Sequence, residues 1–151
     1  MITPKKTNIG FDNETPFEVA KAIREFTENK VLCDVGCKAG RFMQACIPYA
    51  KEVKGIELSE FQAELGQNLD LNISVGDIKE TTLPTADVYY CWLGFVQALR
   101  FMERIETENI KGVFIFGDYS GMDFFFDLLE AEKRTIKTHR GDFEIHILRK
   151  K

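Results

Sequence analysis

Three short apolar runs in this sequence are followed by acidic residues or glycines. The first leads into Asp34–Gly40, the second ends at Glu57 and the third precedes Gly76-Asp77. Glycines let a backbone turn sharply close to a ligand, and a helix that follows presents free N–H groups. Glu57 is placed to accept hydrogen bonds from ribose hydroxyls, and Asp77 from an exocyclic amine. The adjacent Leu58 and Ile78 offer apolar faces to a flat base.

Each of these features also has a purely structural explanation when it occurs alone. Many strand-to-helix turns contain a glycine for steric reasons, and Gly-Asp turns are common. Three of them in chain order are more specific than any single one. A nicotinamide dinucleotide is disfavoured, because its fingerprint is Gly-x-Gly-x-x-Gly whereas this loop has Gly36-x-x-x-Gly40.

The runs alternate with segments of helical character, which predicts an α/β fold with a doubly wound, mostly parallel sheet. Each run has the length of a strand buried on both faces of a parallel sheet. The predicted strands are Lys30–Val35, Glu52–Ile56, Asn72–Val75, Ala86–Trp92 and Gly112–Phe116. The predicted helices are Arg41–Ala50, Ser59–Asn68, Phe95–Ile105 and Asp123–Ala131, with Ser59 and Asp123 as caps.

Both ends of the chain carry further signals. Thr15-Pro16 predicts the start of an N-terminal helix, with Thr15 as its cap. Arg134–His139 and Asp142–Leu148, joined by Arg140-Gly141, predict a C-terminal antiparallel hairpin. No repeat or linker interrupts the 151 residues, so we expect one domain over residues 1–151.

The runs VLCDVGCKAGRF, VKGIELSE, SVGDI and ADVYYCWL together resemble the successive motifs of class I S-adenosylmethionine-dependent methyltransferases. The resemblance covers nearly the whole chain, including the final hairpin. In size and in the Thr15-Pro16 start, the chain also resembles the small archaeal protein-lysine methyltransferases. The resemblance implies a Rossmann-like fold, S-adenosylmethionine as cofactor and S-adenosylhomocysteine as product.

The resemblance also implies a role for individual residues. Asp34, Gly36 and Gly40 would shape the loop around the methionine part, Glu57 would contact the ribose, and Asp77 the adenine amine. Leu58 and Ile78 would form the adenine walls, and Cys91 would lie beside the sulfonium. The implied cofactor site comprises Thr15, Asp34, Gly36, Cys37, Lys38, Gly40, Glu57, Leu58, Asp77, Ile78 and Cys91.

One position departs from the pattern of the family. Lys38 stands where these enzymes usually have glycine. Its side chain could crowd the methionine part of the cofactor, swing outward, or place its ammonium near the cofactor carboxylate. The first arrangement would weaken binding or leave a relative that does not catalyse methyl transfer.

Methyl transfer from a sulfonium needs alignment in a dry pocket, and a base only if the acceptor arrives protonated. The sequence therefore leaves the catalytic residues open, with Trp92, Asp118 and Tyr119 as weak candidates. The acceptor is unidentified. The absence of an inserted lid subdomain suits a protein side chain or another macromolecule as acceptor. In that arrangement the segment Phe11–Phe17 would close over the cofactor.

Two other functions stay open at this point. The chain could bind S-adenosylmethionine or S-adenosylhomocysteine without transferring methyl, or it could cleave the cofactor by another route. The sequence also predicts that the variants Glu57→Ala and Asp77→Ala each bind the cofactor more weakly, with little change in melting temperature.

Composition and charge exclude several classes of function. The net charge of −4 and the scattered basic residues argue against nucleic-acid binding on electrostatic grounds. Cys33, Cys37, Cys46 and Cys91 form no CxxC pair and lie far from the two histidines, so we expect free thiols and no metal site. No apolar run reaches membrane-spanning length and the N-terminus does not resemble a signal peptide, so we expect a cytoplasmic protein.

Overall fold

The computed structural model describes residues 14–119 and 121–151. The strands among them are β1 Val31–Val35, β2 Glu52–Glu57, β3 Asn72–Val75, β4 Val88–Cys91, β5 Gly112–Gly117, β6 Glu132–Thr138 and β7 Gly141–Lys150. They form one sheet in the order β3-β2-β1-β4-β5-β7-β6. Strands β1 to β5 are parallel, and β7 runs antiparallel between β5 and β6. The predicted mixed sheet and its terminal hairpin are confirmed.

Of the described helices, two precede β1 and four lie between strands, with ends shifted from the predicted ones. They are α1 Glu18–Ala22, α2 Arg24–Thr27, α3 Arg41–Cys46, α4 Glu60–Gln67, α5 Phe95–Thr107 and α6 Asp123–Leu128. Helix α3 is shorter than predicted and continues as a 3₁₀ turn over Ile47–Tyr49, which contains Pro48. Proline lacks the N–H that an α-helix needs at that point, which explains the change.

Of the three predicted helix caps, one is confirmed. The Ser59 hydroxyl accepts a hydrogen bond from the Gln62 N–H at 3.2 Å. The prediction for Thr15 was wrong, because α1 begins at Glu18 and the Thr15 hydroxyl instead bonds the Tyr90 hydroxyl at 2.8 Å. The prediction for Asp123 was also wrong, since this residue is the first of α6 and its side chain pairs with Lys133 and His146.

The sheet is covered on both faces by apolar helix surfaces. Helices α5 and α6 pack on one face through Ala98, Phe101 and Phe126. Val19 of α1, Ile23 between α1 and α2, and Phe42 of α3 pack on the other face. Helix α4 joins that layer through Ala63. Over the described residues, no helix is both long enough and apolar enough to cross a bilayer.

The order of the strands reverses between β1 and β4, because β2 and β3 extend to one side of β1 while β4 and β5 extend to the other. In open α/β sheets, ligands bind beyond the carboxyl ends of the strands at this reversal. The structure therefore directs attention to the segments that follow β1, β2, β3 and β4.

Candidate functional site

The loop after β1 folds back onto the end of β2. The N–H groups of Gly36 and Cys37 both donate to the Ile56 carbonyl, at 2.8 and 3.1 Å. Gly36 has φ +78°, and a Cβ atom there would lie 2.1 Å from Leu93 Cδ2. Only glycine fits that backbone and that space, so the residue is required for the loop to pass beneath Leu93.

Glu57, the last residue of β2, uses both carboxylate oxygens to hold neighbouring backbone. Its Oε1 accepts the Lys38 N–H at 2.7 Å, and its Oε2 accepts the Ser59 N–H at 3.0 Å. Each oxygen of a carboxylate has two lone pairs, so both can accept a further hydrogen bond. Glu57 thus ties the β1 loop to the start of α4 and still offers acceptors to a ligand.

Asp77 follows β3 in a tight turn beside Glu57. The Gly76 N–H donates to the Glu57 carbonyl at 3.0 Å, so the two strand ends remain paired beyond the last strand residues. The Asp77 carboxylate accepts the Lys79 N–H at 2.9 Å. The Glu80 and Thr81 N–H groups return to the Asp77 carbonyl, which closes one turn of chain.

These strand ends enclose a cavity of ≈ 250 Å³, called here the large cavity. Its walls combine polar and apolar groups, as in ligand sites generally. Among its lining residues are Gly36, Lys38, Glu57, Leu58, Asp77 and Ile78. All six were predicted site residues, and the fold brings them together around one space.

A narrower space of ≈ 20 Å³, the small cavity, continues on the other side of Gly36 and Lys38, which border both. It is lined by the predicted residues Thr15, Asp34 and Cys37, and also by Glu14 and Trp92. A volume of this size holds about one water molecule. A larger group can enter only if a bordering side chain moves.

Two acidic residues, Asp34 and Glu14, line the small cavity. Asp34 is 4% exposed, and burial, reinforced by the nearby negative charges of Glu57 and Glu14, raises the pKa of its carboxyl to about 8. Burial also raises the pKa of Glu14, against the opposing effect of Arg41, whose Nε lies 3.3 Å from the Glu14 carboxylate. A cationic group bound in this cavity would stabilise the ionised form of both carboxyls and so lower their pKa values.

Lys38 occupies the left-handed backbone region, with φ +53°. A side chain in this conformation costs roughly 1 kcal/mol relative to glycine. The Lys38 ammonium opposes the rise in pKa of both Asp34 and Glu14. Lys38, which departs from the family pattern, therefore has a strained backbone. It also lies close to Asp34 and Glu14, called here the acidic pair.

Trp92 separates the small cavity from a surface cleft of ≈ 500 Å³, called here the open cleft. The indole packs edge-on against Phe143, with ring centroids 5.0 Å apart. Asp118 and Asp142 line the cleft, and Arg140 lies at its rim. Two of the three weak catalytic candidates, Trp92 and Asp118, therefore face the same cleft.

Tyr119, the third candidate, is buried and its hydroxyl is engaged with the backbone. It donates to the Leu93 carbonyl at 2.6 Å and accepts the Leu93 N–H at 3.0 Å. Burial raises the pKa of this phenol well above its ordinary value. The geometry favours a role in holding Leu93 over Gly36, and a catalytic role for Tyr119 stays a prediction.

Two of the predicted cofactor residues lie behind the cavity walls. Cys91 is fully buried in β4, and burial raises the pKa of its thiol to about 12. Gly40 has φ +88° at the start of α3, where a Cβ atom would lie 2.3 Å from Leu71 Cδ1. Gly40 is therefore needed to pack α3 against the segment before β3, and a ligand contact of either residue stays a prediction.

Several residues around the cavities do not stand out in the sequence. Leu93 and Gln97 line the large cavity, and Glu14 lines the small one. Leu93 follows shortly after β4 and Gln97 lies in the first turn of α5, so their positions after a strand could have identified them. Of the predicted segment Phe11–Phe17, residues 11–13 lie outside the described part of the chain.

The cysteines are free thiols, as the sequence predicts. The sequence did not predict a separate cluster of polar side chains near the start of α6. All four cysteines are free and buried. Ligand atoms of Asp123, Glu144 and His146 lie within 4.8 Å of one another. The Lys133 ammonium lies 3.0 Å from Asp123 Oδ2 and 3.5 Å from Glu144 Oε2, so a cation of the chain itself already pairs with both carboxylates. The expectation of no metal site, which was drawn from the spacing of the cysteines and histidines, stays a prediction.

Comparison with known proteins gives matches in structure only. No protein-family profile matches the sequence, and no curated protein matches it either. Among solved structures, magnesium protoporphyrin IX methyltransferase from Synechocystis PCC 6803, solved with bound S-adenosylmethionine, superposes with a TM-score of 0.70 at 11% identity. That match covers 100% of this chain and 86% of the other. The fold is the class I methyltransferase fold.

Two further matches are named for different acceptors. Ribosomal protein L11 methylase from Lactobacillus delbrueckii has a TM-score of 0.66 at 16% identity, covering 88% of this chain and 77% of the other. A Pyrococcus abyssi tRNA (uracil-54, C5)-methyltransferase, in complex with S-adenosylhomocysteine, has a TM-score of 0.65 at 19% identity. That match covers 86% of this chain and 37% of the other. Because these proteins differ in acceptor, the shared fold alone identifies none.

Proposed function

We propose that this chain binds S-adenosylmethionine and transfers its methyl group to an acceptor. The observation that carries the proposal is the large cavity at the sheet reversal, where Glu57, Asp77 and Ile78 face one space beside the glycine loop. Its size and mixed walls fit the adenosyl part, with Glu57 toward the ribose hydroxyls and Asp77 toward the adenine amine. The cofactor supplies a methyl group already activated on a sulfonium.

The acidic pair of the small cavity fits the ammonium of the amino-acid part. Asp34 and Glu14 both line that cavity, which adjoins the large one at Gly36 and Lys38. Because ≈ 20 Å³ cannot hold this part of the cofactor, the Lys38 or Glu14 side chain must move when it binds.

We propose a protein side chain as the acceptor, entering through the open cleft. The rim of this cleft is formed by the exposed Arg140, Gly141 and Asp142, which leaves space for an acceptor attached to a larger molecule. Trp92 and Phe143 would pack against the side chain, and Asp118 is the carboxylate that would accept a proton from a protonated amine.

Calorimetric titration with S-adenosylmethionine and S-adenosylhomocysteine, followed by product analysis with and without protein fractions, tests the proposal. We expect binding of both ligands, and radiolabel transferred from the methyl group to protein. Binding without transfer to any acceptor would instead favour a non-catalytic binding protein, for which strained Lys38 is the supporting observation. Breakdown of the cofactor without acceptor would indicate a cleaving enzyme, and failure to bind would overturn all three functions.

Replacing Lys38 with glycine tests the strained residue. Glycine adopts φ +53° without a steric cost, so we expect the free energy of unfolding to rise by up to about 1 kcal/mol, reduced by the greater freedom of glycine in the unfolded chain. The same change opens the small cavity, so we expect S-adenosylhomocysteine to bind more tightly. Thermal unfolding and calorimetry measure the two effects.

Lys38→Met is the matched control, because it removes the ammonium and keeps the side chain in the strained conformation. We expect no rise in melting temperature for this variant. Weaker ligand binding by Lys38→Gly would contradict the idea that the side chain obstructs the cavity, and would show that Lys38 contacts the ligand.

A further inference from the structure

Arg104 is a nearly buried cation that reaches from α5 to the turn after β3. Its side chain is 12% exposed, and its Nη1 donates to two backbone carbonyls, Ile78 at 2.8 Å and Thr81 at 2.7 Å. The other side of the guanidinium is held by Glu108, with Nε to Oε2 at 2.6 Å and Nη2 to Oε1 at 3.1 Å. One side chain thus connects a core helix to a loop 23 to 26 residues earlier.

The turn that Arg104 holds is the one that carries Asp77 and Ile78 into the large cavity. Within the turn, the N–H groups of Glu80 and Thr81 donate to the Asp77 carbonyl. The carbonyls of Ile78 and Thr81 receive the guanidinium instead. Carbonyls at the end of a helical turn need such a partner, because within the turn they have none.

We propose that Arg104 is a positioning residue for the adenine end of the cofactor. The inference rests on the proposed function and adds a specific residue to it. Arg104 does not line the large cavity, and it acts by keeping the turn at Asp77–Thr81 in one conformation before the ligand arrives. A ligand that binds only that conformation has an apparent affinity equal to its intrinsic affinity multiplied by the fraction of molecules that adopt the conformation.

The guanidinium is suited to this role in a way that other side chains are not. Its planar fork lets Nη1 serve two carbonyls while Nε and Nη2 serve one carboxylate, so all three nitrogens are fixed at once. Without it, the Ile78 and Thr81 carbonyls would lose their partner and the turn would have to open toward water. The cavity wall formed by Ile78 would then no longer be held in place.

The test is binding of S-adenosylhomocysteine to Arg104→Met by calorimetry. We expect Kd to rise by about tenfold, which corresponds to a turn that is competent in roughly one molecule in ten. Arg104→Lys, which can reach one carbonyl but lacks the fork, should give an intermediate Kd and serves as the variant to use if the methionine substitution does not fold. Hydrogen exchange at Glu80 and Thr81 should speed up in the same order.

Two control variants separate this role from general destabilisation. Arg100→Met makes the same change at an exposed position of α5, and Glu108→Gln removes the ion pair while leaving both carbonyl bonds. We expect both to change Kd by less than about twofold. In a double-mutant cycle with Asp77→Asn, the combined loss of affinity should be smaller than the sum of the separate losses, because both changes act through one turn.

The outcomes distinguish this role from the proposed function. A parent protein that binds no S-adenosylhomocysteine overturns both. A parent that binds it, with a folded Arg104→Met variant that binds within about twofold of the parent, overturns only the positioning role. A lowered melting temperature with unchanged Kd and unchanged exchange in the turn also overturns the positioning role, since Arg104 would then be only structural.

Discussion

Replacing Glu57 with alanine is expected to weaken the binding of S-adenosylhomocysteine by roughly 100-fold, the largest effect of any single change at the proposed site. The carboxylate would accept two ribose hydroxyls, and a hydrogen bond to a charged group contributes about 1.5–3 kcal/mol. The substitution also releases the Lys38 N–H, which now lies 2.7 Å from Glu57 Oε1, so the loop between the two cavities loses one of its hydrogen bonds to β2. Calorimetric titration measures the change in Kd.

The structure changes one part of what the sequence predicts for this variant. Because Glu57 also holds the Ser59 N–H at 3.0 Å, its loss should lower the free energy of unfolding by about 1–2 kcal/mol, where the sequence alone suggested little change. Asp77→Ala is the contrasting case, since the Asp77 carboxylate accepts the nearby Lys79 N–H and would accept a neutral adenine amine. For it we expect a loss of affinity nearer tenfold and an almost unchanged melting temperature.

Glu60→Ala is the control for charge, because Glu60 is an exposed carboxylate in the first turn of α4. We expect it to leave Kd within about twofold of the parent value. If Glu57→Ala binds as tightly as Glu60→Ala at a temperature where both are folded, Glu57 does not contact the ribose.

The strands and the motifs that follow them were predictable because their signals are local. Asn72–Val75 has the predicted bounds, since its apolar residues are followed at once by a glycine. The predicted strand β2 stopped one residue early, at Ile56, whereas Glu57 still pairs with Val75 in the sheet. The glycine loop and the two carboxylates could be assigned to one edge because parallel strands end together.

The features that escaped prediction depend on contacts between distant residues. Thr15 is of a residue type that caps helices, but the Tyr90 hydroxyl, 75 residues away, provides a competing partner. Nothing in the sequence around Arg104 distinguishes it from an exposed helix arginine, because the carbonyls that it serves belong to another part of the chain. Lys38 could be recognised as unusual, but only the backbone shows that its conformation is strained there.

The acidic pair links the proposed cofactor to pH. The pKa of Asp34 is raised to about 8 in the fold, above its ordinary value of 3.8, by burial first and then by Glu57 and Glu14, with Lys38 opposing. A carboxyl whose pKa is raised in the fold favours the protonated protein. Its contribution to the free energy of unfolding is full below about pH 4 and is lost as the pH rises toward about 8. Without ligand, the protein should therefore lose stability across this window, and Asp34→Asn should lose less.

Cofactor binding should then be coupled to release of a proton from Asp34. The ligand ammonium favours the ionised carboxylate, so between about pH 5.5 and 7.5 binding must expel the proton that burial retains. We expect the affinity for S-adenosylhomocysteine to increase with pH in this range, by up to about tenfold per pH unit. Titrations in two buffers of different ionisation enthalpy should report release of about one proton per ligand.

Asp34→Asn separates this coupling from the titration of other groups. Asparagine keeps the shape of the side chain and cannot ionise, so the variant should bind more weakly and with little dependence on pH. Glu14 also lines the small cavity and has a raised pKa, so Glu14→Gln should reduce the dependence only in part. An affinity that is flat over this range in the parent, or equally steep in Asp34→Asn, would show that the ligand ammonium does not lie against Asp34. In that case the small cavity, with its two acidic side chains, would have to serve something other than the amino-acid end of the cofactor.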